Sequence, residues 1–134
     1  MFKLKSLIDV KDFNEIVNLL NHFINRDDLK FYRVIIETND SGTFTVYRDL
    51  EFIYIEQEKF IERCKVINTG KFQNLKDVLA FIKIFEKDII LEIEIEITVD
   101  QFENINNVLN EVRQFNPTIL QITKEIVIYE EFKN

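Results

Sequence analysis

The chain has one cysteine, one proline, one histidine, two glycines and no tryptophan. Each scarcity excludes something. Cys64 has no second cysteine to bridge, so no intramolecular disulfide is possible. With no secretory pattern at the N-terminus, the expected compartment is a reducing cytoplasm. A zinc site needs several Cys or His ligands, which this composition does not supply. A phosphate-cradling loop needs glycines close together so that backbone amides can crowd the anion, and Gly42 and Gly70 are far apart. Ser6 and Ser41 are the only serines. Neither stands in a nucleophile-elbow context, and Ser41 reads as a turn residue. No apolar run approaches the roughly 18 residues that cross a bilayer. The longest candidate, Asp88 to Val99, is interrupted by Glu92, Glu94 and Glu96. The expectation is a protein with no catalytic constellation, no metal site and no cofactor.

What the chain does have is acid and apolar bulk. Its 134 residues carry 24 acidic against 17 basic side chains, a formal charge of −7. Phosphate backbones and anionic lipid repel such a surface, so direct nucleic-acid binding and membrane binding are not expected. A hydrophobic fraction of 46% is far too high for a disordered chain. The length fits one domain with its own core. The richness in Asn, Ile, Lys, Phe and Glu is the bias of AT-rich bacterial and phage genomes, an association rather than a physical argument.

Three segments have apolar residues at helical spacing. The first runs from Val10 to Ile24, with Phe13, Ile16, Val17, Leu20 and Phe23 on one stripe and Asp9 placed to cap it. The second runs from Leu75 to Phe85 behind Asn74, and the third from Gln101 to Phe115 behind Thr98 or Asp100, stopped by Asn116-Pro117. Strands lie between them. Ile89 to Ile97 alternates most clearly, isoleucine and leucine one way and Glu92, Glu94 and Glu96 the other. Such a strand belongs to a sheet with one solvated face, which argues against a doubly wound parallel sheet. Phe31–Thr38 and Thr43–Arg48 flank the turn Asn39-Asp40-Ser41-Gly42. Phe52–Ile55, Phe60–Ile67 and Ile119–Tyr129 read as further strands, and Phe2–Ile8 as an edge strand. The order β-α-β-β-β-β-α-β-α-β predicts a single α+β domain over residues 1–134. Its sheet is mainly antiparallel and twisted, with about three helices packed on one face.

Individual side chains offer little chemistry. His22 sits at the end of the first helix and reads as a helix-end residue. Cys64 reads as a small strand hydrophobe on one face with Phe60, Glu62 and Val66. The ladder Glu92, Glu94, Glu96 is the most distinctive feature. Neighbours on it stand about 6.8 Å apart, too far for all three to hold one ion unaided. Arg63 and Lys65 would neutralise it if their strand lay alongside. Strand tyrosines Tyr47 and Tyr54 join the ladder as candidate partner-binding residues, because tyrosine buries area behind a polar tip. Phe132, in the charged C-terminal tail, is a candidate anchor.

These features lead to an expected function without catalysis: a small acidic protein that occludes another protein. The toxin-immunity and phage anti-defence types fit best, with a basic nuclease, toxin or defence protein as partner, since opposite charge speeds encounter. The alternative is a small-ligand binder for a nucleotide or metabolite, held where scattered arginines converge. A homodimer is compatible with either.

Overall fold

A computed structural model describes residues 1–24, 26 and 29–124. The expected tail position Phe132 and the far end of the last predicted strand, including Tyr129, lie outside the described residues. In chain order the elements are β1 (Phe2–Asp9), α1 (Phe13–Phe23), β2 (Phe31–Glu37), β3 (Thr43–Asp49), β4 (Phe52–Ile61), β5 (Cys64–Phe72), α2 (Leu75–Lys83), β6 (Glu92–Val99), α3 (Phe102–Arg113) and β7 (Pro117–Lys124). A short 3-10 turn, Glu86–Asp88, follows α2.

The strands form one antiparallel sheet in the order β5-β4-β3-β2-β6-β1-β7. Alternation fixes which face is buried. Leu4 and Ile8 of β1, Val34 and Ile36 of β2, Phe44 and Val46 of β3, and Ile93, Ile95 and Ile97 of β6 are in register on one side and fully buried. The helices cover that side. Phe13, Ile16, Leu19, Leu20 and Phe23 of α1, Val78 and Ile82 of α2, and Ile105, Val108 and Val112 of α3 complete the core. Ring contacts close the layers: Phe44 of the sheet lies 4.8 Å from Phe85 and 5.9 Å from Phe81 between ring centroids. The Tyr32 hydroxyl donates to the Ile24 carbonyl at 2.8 Å, tying β2 to the end of α1. Burial pushes that phenol's pKa well above its ordinary value.

The architecture is the predicted α+β one, with several local differences. β1 is not an edge strand: it pairs with both β6 and β7, and among the described residues the edges are β5 and β7. Two expected strands, Phe52–Ile55 and Phe60–Ile67, are redrawn as a hairpin. β4 runs on to Ile61 and turns through Glu62 and Arg63. Those two residues have φ of 50° and 70°, left-handed values that glycine or asparagine usually supplies, so the turn carried no sequence signal. Cys64 therefore starts a strand after the turn and is exposed, not a buried partner of Phe60. Asp12, not Asp9, caps α1, accepting from the Glu15 amide at 3.1 Å. Asn74 caps α2 as expected, whereas Gln101 precedes α3 without a side-chain cap bond.

The uncovered face of the sheet as the candidate site

The face opposite the helices carries the candidate side chains, and register determines how they meet. Crossing the sheet from β5 to β1, one row reads Lys71, Tyr54, Tyr47, Arg33, Glu96, Lys5. Tyr47 and Tyr54 stand directly opposite and stack, with centroids 5.4 Å apart and ring planes 16° apart. Beside them the Lys71 ammonium lies 3.7 Å from the centre of the Phe52 ring. The Tyr47 phenol titrates above its ordinary value, first because it is partly desolvated, then because Glu56, Tyr54 and Asp49 disfavour a phenolate.

The glutamate ladder is not one uniform acidic strip. Glu96 is only 3% exposed, wedged between the strands on either side. Lys5 of β1 approaches it at 3.3 Å, and the Arg33 guanidinium of β2 bonds its other oxygen. Burial works to raise the Glu96 pKa. The hydrogen bonds from Arg33 and Lys5 and the nearby positive charge outweigh that, and the carboxyl titrates below its ordinary value. Glu94 is half-buried opposite Leu7 and Ile35, and Glu92 is exposed opposite Asp9. Arg63 and Lys65 do not neutralise the ladder, because β4, β3 and β2 separate β5 from β6. Lys65 pairs instead with Glu58 on its own hairpin at 3.3 Å. The sequence showed the acids but not their counter-charges, because strand order decides which lysines and arginines lie alongside.

The face is therefore graded along its strands. Cations and aromatics crowd one end, with Asp49 among them: Lys3, Lys5, Arg33, Lys71, Phe31 and Phe52. Acids crowd the other: Asp9, Glu37, Glu92, Glu94, Glu56 and Glu58. Glu37 and Glu58 had no prominence in the sequence, since only the pairing with Thr43 carries them to the ladder's side.

Other titratable groups lie elsewhere. His22 is on the helical side, 3.3 Å from Glu111 and edge-on to Phe23 and Phe115, and Arg26 bonds the same Glu111 oxygen. These contacts join α1 to α3. The Asp88 carboxylate receives the Ser41 hydroxyl at 2.8 Å and the Asp40 amide at 3.1 Å, anchoring the β2–β3 turn. Those hydrogen bonds, the Ser41 hydroxyl's first, hold its pKa below the ordinary range. Among the described residues no cluster of three or more His, Cys, Asp or Glu side chains is arranged to hold a metal ion. Among the described residues no helix is long and apolar enough to cross a membrane. No family model matches the chain, and neither a curated protein nor a solved structure matches it.

Proposed function

We propose that this chain is a binding protein that occludes another protein through the uncovered face of its sheet. The observation that carries the proposal is the face itself. Stacked tyrosines, an arginine held in place by Glu96 and a half-exposed acidic row lie in register on a rigid seven-stranded platform. Rigid aromatics supply contact area at small entropic cost, and opposed charge steers encounter. Glu92 and Glu94 would face a basic partner, and Tyr47 and Tyr54 would form the centre of contact. A toxin-immunity or anti-defence inhibitor of a basic nuclease, toxin or defence protein is the kind of molecule this describes. Affinity capture at about 0.15 M ionic strength tests it. The expected result is a basic protein retained in stoichiometric amount and released by Glu92→Lys/Glu94→Lys. Retention of no macromolecule from the source or host lysate would refute it.

A second reading has one observation in its favour. Arg26, Lys30 and Arg48 converge with Tyr47 around a cavity of about 570 Å³ beside the first turns of β2. That is the arginine convergence a nucleotide or metabolite would need. These cations are already engaged, which weakens their hold on a ligand. Arg26 bonds Glu111, Lys30 pairs with Asp100 at 3.2 Å, and Arg48 donates to the carbonyls of Leu50 and Ile24. Native mass spectrometry of protein purified from its source, showing a bound small molecule lost on Arg48→Ala, would move this reading to first place.

A further inference from the structure

The acidic end of the open face contains an apolar groove. Leu7, Ile35 and Ile90 line a depression of about 400 Å³ together with Glu37, Glu92 and Glu94. An irregularity in pairing shapes it. Between the Ile35–Glu94 pair and the Thr38–Ile89 bridge, residues Ile90 to Ile93 lie opposite Ile36 and Glu37 alone. The extra residues push Ile90 and Leu91 outward, and both are exposed. None of the three carboxylates has an ion pair or side-chain hydrogen bond among the described residues. Glu92 also stands directly opposite Asp9, and like charges so placed are unfavourable.

A bare apolar tip lies elsewhere on the same molecule. Beyond Glu58 the β4–β5 hairpin outruns the helical layer, and its apolar side chains are bare: Phe60 is 67% exposed and Ile67 50% on the open face, and Ile61 51% on the other. Lys59 and Arg63 have no ion pair among the described residues, and Lys65 is matched by Glu58. Glu62 is the one further acid at this tip. Left-handed backbone at both Glu62 and Arg63 keeps charged side chains where glycine would fit more easily. The tip cannot reach its own groove: β5 stands four strand spacings from β6, roughly 19 Å.

We infer that the chain associates with itself head to tail. Phe60 of one copy rests on Leu7, Ile35 and Ile90 of the next, and Arg63 in the turn beside it meets Glu37, Glu92 and Glu94 of the second. The two surfaces differ, so the contact is heterologous and grows into a ring if its rotation closes, or a filament if it does not. This inference does not rest on a foreign partner. Where one exists, it competes with the hairpin for Glu92 and Glu94.

Sedimentation velocity of the full chain from micromolar to about millimolar concentration tests the inference, with circular dichroism confirming that each variant is folded. The wild type is expected to associate with increasing concentration, less strongly as salt is raised. A tip variant, Phe60→Ser/Arg63→Glu, and a groove variant, Glu92→Lys/Glu94→Lys, are each expected to associate at least tenfold more weakly. Mixed in equal amounts, the two variants are expected to form a one-to-one complex and nothing larger. That mixture retains one intact tip, on the groove variant, and one intact groove, on the tip variant. A monomeric wild type throughout the range overturns the inference, as does undiminished association of either variant or failure of the mixture to pair. Should the tip variant misfold, Arg63→Glu alone carries the same expectation. Loss of self-association with capture of a foreign protein intact would leave the occlusion proposal standing and this one refuted.

Discussion

Replacing Glu96 by glutamine removes one charge and almost no volume from the centre of the sheet. The structure sets the size of the effect. The carboxylate is nearly fully buried and receives Lys5 on one oxygen and Arg33 on the other. Breaking a fully buried ion pair costs about 3–5 kcal/mol, because the surviving charge is stranded. Here the surviving charges are not stranded. The Lys5 and Arg33 side chains remain 47% and 38% exposed and rehydrate when the carboxylate is gone. The cost therefore falls to that of charge-assisted hydrogen bonds, about 1–3 kcal/mol. The assay is urea unfolding read by circular dichroism, where this appears as a lower midpoint at an unchanged slope.

The pH dependence gives an independent check. The folded Glu96 pKa lies below its unfolded value. Its contribution is therefore fully present above the ordinary glutamate pKa of about 4.3 and is lost as pH falls through the folded value. The gap between wild type and Glu96→Gln is expected to be widest near neutrality and to close in acid. Glu92→Gln, two positions along the same strand, is exposed and opposite Asp9, so it is expected to change stability by less than about 0.5 kcal/mol. An unchanged midpoint for Glu96→Gln, or a gap that widens in acid, would refute the reasoning.

Gly42→Ala is expected to destabilise by about 2 kcal/mol or more in the same assay. Its φ is +83°, and an added Cβ would lie 2.2 Å from the Glu58 carbonyl oxygen, which is backbone and cannot swing aside. Phe44→Ala empties the space between Phe81 and Phe85 and is expected to cost about 3–5 kcal/mol, a large part of the stability of a domain this size. Glu62→Asn with Arg63→Gly relieves the left-handed hairpin turn, with an expected gain of about 1 kcal/mol by thermal melting. The same change removes Arg63, so it is also expected to weaken self-association in sedimentation.

The order of elements was legible because periodicity is local. Phe13, Ile16 and Leu20 mark a helix and Ile93, Ile95 and Ile97 a strand without reference to the rest of the chain. The β2–β3 turn was legible for the same reason, since Asn39 to Gly42 carries turn chemistry. What failed depended on backbone without a signal residue or on strand order. Glu62-Arg63 turns with neither glycine nor asparagine, so Phe60–Ile67, which contains the turn, read as one continuous strand. Leu91 belongs to the alternating pattern of Ile89 to Ile97, yet the bulge beside Thr38 turns it outward. The ladder was visible as three equal acids. Only the placement of β6 between β1 and β2 separates the neutralised Glu96 from Glu92 and Glu94, which have no ion pair among the described residues.

If the uncovered sheet face docks another protein, the stacked tyrosines carry the contact. Parallel affinity capture with wild-type chain and a Tyr47→Ala/Tyr54→Ala chain, at the same salt and from the same lysate, measures this. The tyrosine rings stack on the open face and take no part in the core, so the variant is expected to fold. One basic protein is expected to be retained by the wild type and lost from the variant. Equal retention by both, or by neither, would contradict it.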